Sequence, residues 1–220
     1  MSSVESPVSR MAAEVNVYVE SMEGVLGLIE NSFLSLFEEK AIHTLRMLRR
    51  GSIASSVGDT ERSLISRMVL RKPLWLRSST LFKYSPSGTM EETIAGIRGL
   101  QSVEMLDVID EIAPFEWVWE AVSGCLTIVD LKLLCRLLGN LKCTGSKEEI
   151  LARLRTVFTT QRDISGRSFS HRAGSLFRTV VDQNYGKDDM FVRINPSTLT
   201  ILRRFYRLAN VSPCLGMLFL

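Results

Sequence analysis

Apolar residues recur every three or four positions along most of this chain of 220 residues, which is the spacing of helices that bury one face. One such face, in residues 33–50, consists of Leu34, Phe37, Ala41, Leu45 and Leu48. A second, in residues 61–72, consists of Leu64, Ile65, Met68 and Val69. The pattern predicts a mainly α protein, in which the first helix ends before Gly51 and the second ends at Pro73.

Polar and turn-forming residues separate the predicted helices. Residues 51–60 are rich in serine and glycine and are predicted to form a loop. An extended piece around Trp75 and a helix that begins with Thr89 follow, and a short strand is predicted at Met190–Ile194. Asn195 is then expected to cap a last helix. The order helix, turn, helix and short extended hairpin favours a winged-helix-like unit.

The segment Leu126–Phe158 predicts two short helices joined by a turn. Thr127 and Asp130 form an acidic variant of the capping box at the start of the first helix. Ser146 and Glu149 form an S-x-x-E capping box at the start of the second. This layout is that of a SAP-type helix-turn-helix; an ordinary helical hairpin with solvated charges is the alternative.

The turn between these two helices is basic. Gly145 can take the positive φ that such a turn needs, and Lys142 and Lys147 flank it. Backbone amides at a helix N-terminus and lysine side chains would together attract a phosphate. Arg153 and Arg155, in the second helix, are expected to face solvent.

Charge is segregated along the sequence, although the formal net charge is only +3. Residues 60–83 carry six basic side chains against Glu61 alone, whereas residues 84–120 carry eight acidic side chains against Arg98 alone. Residues 132–178 are basic again, with ten positive side chains against three negative ones. A nearly neutral protein with this distribution can present positive faces to nucleic acid.

The sequence offers little for metal binding or membrane insertion. The cysteines Cys125, Cys135, Cys143 and Cys214 lack C-x-x-C spacing, and we interpret them as free thiols in a reducing compartment. We find no leader peptide and no apolar stretch of membrane-spanning length, so we expect a soluble intracellular protein. The apolar residues 213–220 suggest truncation of a longer chain.

Candidate catalytic patterns are few. Glu38-Glu39-Lys40 matches the E-x-K element of metal-dependent nucleases, but it lies in a helical pattern without a preceding strand. An exposed helical face is therefore the favoured interpretation. The acidic group Asp107, Asp110 and Glu111 is interpreted as solvated surface, so we predict neither catalytic residues nor metal ligands.

Three stretches, in this order, resemble the Fanconi-associated nuclease family. Residues 67–77, RMVLRKPLWLR, resemble the arginine-lysine-proline-tryptophan segment near the family's start, although the family has glycine after the lysine. Leu81–Tyr84 with the helix 89–100 resembles the segment that follows, and Leu126–Phe158 resembles the SAP-type element. The resemblance covers about Phe33–Leu208.

This resemblance implies a nuclear DNA-repair function: phosphodiesterase-type cleavage of flap and branched DNA, which unhooks interstrand crosslinks. The family's virus-type replication-repair nuclease module binds Mg²⁺ or Mn²⁺, and its proline-aspartate and E-x-K pair has no counterpart here. We therefore expect a non-catalytic DNA-binding portion without a cofactor of its own. Branched or flap DNA and DNA-repair proteins are the expected partners.

The expected organisation has four segments. Residues 1–32 form an N-terminal tail and lead-in, and residues 33–125 form the winged-helix-like helical part. Residues 126–158 form the SAP-like helix-turn-helix, and residues 159–220 form a connector, a short strand and a helix. The predicted fold class is thus a mainly α helical bundle with few short strands.

The predicted DNA contacts are all to phosphates, which gives salt-sensitive affinity without reading of bases. They are Arg67, Arg71, Lys72, Arg77, Lys142, Lys147, Arg153, Arg203 and Arg204. One alternative is a helical protein-interaction module, whose acidic residues 84–120 dock a basic partner. Another is a small nuclease that uses Glu38 and Lys40.

Overall fold

The computed structural model describes residues 7–71, 75–86, 88–139, 141–162 and 164–216, with side chains from residue 17 to residue 211 in these ranges. Lys72 and the side chain of Cys214, both named above, lie outside what is described. The described residues confirm the predicted fold class, a mainly α helical bundle with few short strands.

The helices before residue 105 are α1 (Pro7–Ser32), α2 (Glu39–Leu48), α3 (Asp59–Val69), α4 (Ser78–Leu81) and α5 (Met90–Ser102). The later helices are α6 (Phe115–Cys125), α7 (Ile128–Leu137), α8 (Lys147–Thr160), α9 (Ala173–Asn184) and α10 (Pro196–Gly216). The strands are β1 (Leu76–Arg77), β2 (Leu106–Val108) and β3 (Phe191–Ile194). Short 3-10 turns lie at Leu34–Leu36, Phe82–Tyr84 and Phe169–Arg172.

The helix predicted over residues 33–50 begins later than its apolar spacing indicates. Leu34–Leu36 form a 3-10 turn, Phe37 is extended, and α2 starts at Glu39. The Phe37 side chain is buried and packs edge-on against the ring of Phe205, with ring centroids 4.9 Å apart. Burial of this ring outweighs the helical continuation that the spacing favours.

The predicted tail and lead-in, residues 1–32, differs from the structure because α1 occupies most of it. The buried side chains of this helix are Val19, Met22, Leu26 and Ile29. Their spacing of three and four residues is that of a core-facing helix stripe. The segment therefore contributes to the core.

The strands form one sheet with the order β1–β3–β2. Strand β1 is antiparallel to β3, with Leu76 opposite Val192 and Arg77 opposite Phe191. The winged-helix-like interpretation expected a hairpin between strands that are close in sequence, whereas the described strand β1 pairs with a strand much later in the chain. All four residues of β3 are buried, which suits its central position.

The chain divides into two compact units, each made of pieces that are distant in sequence. The first comprises Met1–Lys72, Thr80–Asp107 and Ile194–Leu220, and the second comprises Pro73–Ser79 and Val108–Arg193. This division differs from the four expected segments, because α10 joins the early helices and β1 joins the later ones.

Within the first unit, α3 packs against α1 and α5, and α10 packs against α1 and α2. Its fully buried side chains include Met22, Leu26, Ile29, Leu45, Leu64, Ile65, Ile97, Leu202 and Phe205. The inward face predicted for residues 61–72 is confirmed, since Leu64, Ile65, Met68 and Val69 are all buried.

Within the second unit, α9 packs against both α6 and α7, and α8 packs against α7. Its core includes Trp75, Val122, Leu131, Leu134, Leu154, Phe158, Val180 and Phe191. Helices α7 and α8 thereby present one face to this core and leave the opposite face to solvent.

Candidate nucleic-acid interface

Helices α7 and α8 form the predicted helix-turn-helix, and each begins with its predicted capping box. Asp130 accepts a hydrogen bond from the Thr127 amide at 2.7 Å, and Thr127 Oγ1 accepts from the Asp130 amide at 3.4 Å. Glu149 accepts from the Ser146 amide at 3.1 Å, and Ser146 Oγ accepts from the Glu149 amide at 3.2 Å. The turn uses Gly145 at φ +113°, as predicted.

Two predicted phosphate-binding lysines lie at this turn. Lys142 is exposed in the turn, and Lys147 is the half-buried first residue of α8. Among the described residues, neither ammonium group has a hydrogen bond or an ion pair. Both side chains can therefore reach an anion without breaking an internal contact.

Arg153 was expected to face solvent, and the structure corrects this prediction. Its Nε donates to the Glu149 carbonyl at 3.1 Å, its Nη1 donates to the Lys142 carbonyl at 2.7 Å, and its Nη2 donates to the Thr144 carbonyl. A guanidinium offers five N–H donors in a fixed fork, which suits this bridging role. Arg153 therefore fastens the turn to α8.

Arg77 also makes internal contacts. Its guanidinium lies 3.8 Å from the centre of the Tyr185 ring and forms an ion pair of 3.2 Å with Asp189. Asp189 in turn accepts from Ser78 Oγ and Ser79 Oγ, each at 2.8 Å. Arg77, which the sequence suggested as a phosphate contact, thus also holds β1 near the end of α9.

The other early arginines stack on tyrosines. Arg67 lies 3.5 Å above the ring of Tyr18, and Arg71 donates to the hydroxyl of Tyr84. Arginine favours such contacts with ring faces. Both side chains are half-buried, so the outer stripe that the sequence predicted for them is not free surface.

The two arginines predicted in the last helix differ. Arg204 donates to the Leu36 carbonyl at 3.1 Å and lies 4.7 Å from the ring centre of Phe37. Arg203 is exposed on α10, and it has no hydrogen bond or ion pair among the described residues. Arg204 thus has internal contacts, whereas Arg203 has none among the described residues.

Three exposed cations near the helix-turn-helix were not among the predicted contacts. They are Lys132 and Arg136 on α7, and Arg155 on α8. Lys132 and Arg136 are four residues apart and so project from the same side of the helix. Lys132 directly follows the buried Leu131 and Arg136 directly follows the buried Cys135, and this phase was a signal available in the sequence.

Acidic side chains oppose the cations at the start of α8. A backbone hydrogen bond at Glu148 and a hydrogen bond with Ser146 hold the pKa of Glu148 below its usual range. Glu148 is exposed and ionised at neutral pH, and Glu149 occupies the Ser146 amide. The helix N-terminus that the sequence offered to a phosphate is thus partly satisfied by its own carboxylates.

The E-x-K element lies at the start of a helix. Glu38 precedes α2, and Lys40 in the first turn donates to Ser197 Oγ at 3.2 Å. In the described part of the chain, no group of three or more His, Cys, Asp or Glu side chains could hold a metal ion. The acidic group was interpreted as solvated surface, and Asp110 and Glu111 are exposed. Asp107 is instead buried and accepts from Asn195 Nδ2 at 3.2 Å.

The described cysteines Cys125, Cys135 and Cys143 are free thiols, as predicted. Burial raises the pKa of Cys125 to about 11. Burial, followed by the neighbouring Cys143 thiol, raises the pKa of Cys135 to about 12. These two thiols are therefore protonated and poor nucleophiles at neutral pH.

None of the helices among the described residues has both the length and the apolar character needed to cross a membrane. No protein-family model matches this chain, and no curated protein matches it.

Proposed function

We propose that this chain binds the phosphate backbone of branched or flap DNA through the corner between α7 and α8. The observation that carries the proposal is the pair Lys142 and Lys147, which stand at a capped turn without internal partners among the described residues. Lys132, Arg136 and Arg155 extend the positive charge along both helices. Cations of this kind release counterions from DNA and drive association.

The proposal includes the resemblance to the Fanconi-associated nucleases. The chain would be a DNA-gripping portion of such a repair nuclease, act in the nucleus with other DNA-repair proteins, and be non-catalytic by itself. Mg²⁺ or Mn²⁺ would belong to the nuclease module, and no residue of this chain is assigned to it. Because phosphate contacts do not read bases, preference would be for DNA shape.

The proposal is tested by measuring binding of the full chain to labelled flap, fork and blunt duplex DNA at several salt concentrations. We expect salt-sensitive binding that favours the flap or fork. In the double variant K142Q/K147Q, affinity should fall by about 10- to 100-fold, and the slope of log K against log salt should decrease in magnitude by about two.

The matched control is K83Q/K187Q, which removes the same charge from two exposed lysines distant in sequence from the turn. Its affinity should stay within about twofold of the unchanged chain, because it keeps the local cation cluster. An equal loss in both double variants would show that only net charge matters and would contradict the proposed interface.

A protein-interaction module without nucleic acid is the second candidate. It is favoured by apolar side chains exposed on α7, where Ile128 is 43%, Val129 67% and Leu137 37% exposed. Exposed carboxylates such as Glu91 and Glu116 could meet a basic partner. Absence of DNA binding at low salt would contradict the DNA proposal and leave this candidate.

A further inference from the structure

The first unit contains a cavity of about 380 Å³ that the DNA proposal does not use. Its walls come from α2, from the turn after α5 and from the start of α10. This volume lies within the range of small-ligand pockets, about 300–1,000 Å³. The cavity can thus take a small molecule, and its lining indicates which kind.

One side of the cavity is positively polarised. Lys40 and His43 from α2 face the first turn of α10, a helix of 21 residues. The N-terminus of a helix carries partial positive charge and attracts anions. Lys40 uses one of its three N–H donors on Ser197 Oγ, which leaves two for a ligand.

Thr198 supplies a second observation, independent of the helix N-terminus. It lines the cavity and is 5% exposed, yet its hydroxyl has no partner among the described residues. The amides on either side of Thr198 both have hydrogen-bond acceptors. The Ser197 amide donates to Asn195 Oδ1 at 3.0 Å, and the Leu199 amide donates to the Asn195 carbonyl at 2.9 Å. Pro196 has no N–H. Within the described chain, the amide of Thr198 therefore also lacks a partner.

The Thr198 hydroxyl opens onto the cavity, so this hydroxyl, the Thr198 amide and Lys40 offer hydrogen-bond donors to an acceptor bound there. A phosphoryl group has several acceptor oxygens and a negative charge, which match these donors. The cavity volume of about 380 Å³ suits one compact ligand. A compact ligand is therefore favoured over a nucleic-acid strand.

We propose that this cavity binds the phosphoryl group of a small phosphomonoester or of inorganic phosphate. Thr198 donates through its hydroxyl and its amide, Lys40 supplies the countercharge, and His43 lies beside them. The site belongs to the first unit and is separate from the α7–α8 corner, so its test does not depend on DNA binding.

The test is calorimetric titration of the full chain with inorganic phosphate in a chloride buffer. The variants are K40M, which removes the charge, and T198V, which keeps the shape and removes the hydroxyl. We expect saturable binding of one phosphate, weakened at least about tenfold in each variant. The exposed Lys83 gives the control K83M, which should bind within about twofold of the unchanged chain.

Circular dichroism melts of each variant establish that it is folded before titration. No saturable binding up to about 20 mM phosphate would overturn the proposal, since the affinity would be too weak to matter. Binding that survives both K40M and T198V would place phosphate elsewhere and overturn it as well. Lys40-dependent binding of a 5′-phosphorylated oligonucleotide without binding of free phosphate would also overturn it, in favour of a DNA end.

Discussion

Arginine side chains connect parts of this chain that are distant in sequence. Arg193 is buried, lies 4.6 Å from the ring centre of Trp75 and 4.8 Å from that of Trp117, and donates to Glu120 at 2.5 Å. The guanidinium of Arg62 donates to the Leu48 carbonyl at 2.8 Å. A planar guanidinium can stack and donate several hydrogen bonds at once, whereas a lysine ammonium is a strongly hydrated point charge. This difference explains why lysines are the predicted phosphate contacts that stay unpaired at the α7–α8 turn.

Glu104 is a second residue with a distinct local role, because it is a non-glycine residue at φ +58°. Its amide donates to the Gln101 carbonyl at 3.0 Å, and the Met105 amide donates to the Leu100 carbonyl at 2.9 Å. This pair of bonds is the Schellman motif that ends α5, with glutamate in the position usually occupied by glycine. The left-handed backbone there is strained.

We predict that E104G raises the free energy of unfolding by about 0.5–1 kcal/mol, because relief of left-handed strain exceeds the added flexibility of the unfolded chain. Denaturant unfolding measures this change. E104A is the matched control, since it removes the carboxylate but keeps a Cβ at positive φ. A glycine variant no more stable than the alanine variant would contradict the assignment of strain to this residue.

At the scale of elements, α7 and α9 are joined by a buried carboxylate. Asp130 is 2% exposed and accepts from the Thr127 amide at 2.7 Å, Thr127 Oγ1 at 2.8 Å, Asn184 Nδ2 at 2.6 Å and the Tyr185 hydroxyl at 2.5 Å. Burial opposes ionisation of Asp130, but the hydrogen bonds from Tyr185, Thr127 and Asn184 together outweigh it and hold its pKa below the usual range. The start of α7 is thereby fixed to the end of α9.

Substitution D130N should lower the free energy of unfolding at pH 7 by about 1–3 kcal/mol, because a buried acceptor for several donors is lost. The folded-state pKa of Asp130 is depressed, so its contribution is complete above the unfolded pKa of about 3.9 and is lost as the pH falls through the folded pKa. The variant should therefore lose less stability in acid than the unchanged chain.

Urea unfolding between neutral and acidic pH measures both effects. D188N is the matched control, because Asp188 is exposed and lies shortly after α9. Its stability should change by less than about 0.5 kcal/mol. If D130N and D188N had the same pH profile, the network at Asp130 would not be the source of the acid sensitivity.

At the scale of the whole molecule, the chain builds two separate cores from interleaved pieces. Phe205 in α10 is 1% exposed in the first unit, and Phe158 in α8 is 2% exposed in the second. Cores of this kind give local stability that depends on their own packing. Each core can therefore be weakened by a substitution in its own unit.

We predict that F205A and F158A each cost about 3–5 kcal/mol of stability, through the lost apolar burial and the cavity left behind. Native-state hydrogen exchange locates the damage. F205A should reduce amide protection mainly in α1, α3, α5 and α10, whereas F158A should reduce it mainly in α6–α9. Equal loss throughout the chain in both variants would mean that the two cores unfold as one.

The periodic and capping features of this fold were predictable from local sequence. The inward face of α3, the capping boxes at Thr127 and Ser146, and the strand β3 all follow from rules that act over a few residues. The candidate site was predicted only in part. Lys142 is exposed as expected, whereas Lys147 is half-buried. Arg77 and Arg153 make internal contacts that the sequence did not predict, because Asp189 and Lys142 lie in residues that no local rule connects to them.

By itself, therefore, the sequence determined where several helices begin, which faces they bury and where a positive turn lies, because these depend on hydrogen bonds and burial within a few turns of chain. Only the tertiary structure decided that β1 pairs with β3 and that α10 lines a cavity with Lys40. It also decided that five of the predicted DNA-binding arginines make internal contacts, namely Arg67, Arg71, Arg77, Arg153 and Arg204. Those outcomes depend on which distant groups meet, and a long cationic side chain can satisfy its donors equally well in water or on a carbonyl, a carboxylate or an aromatic ring.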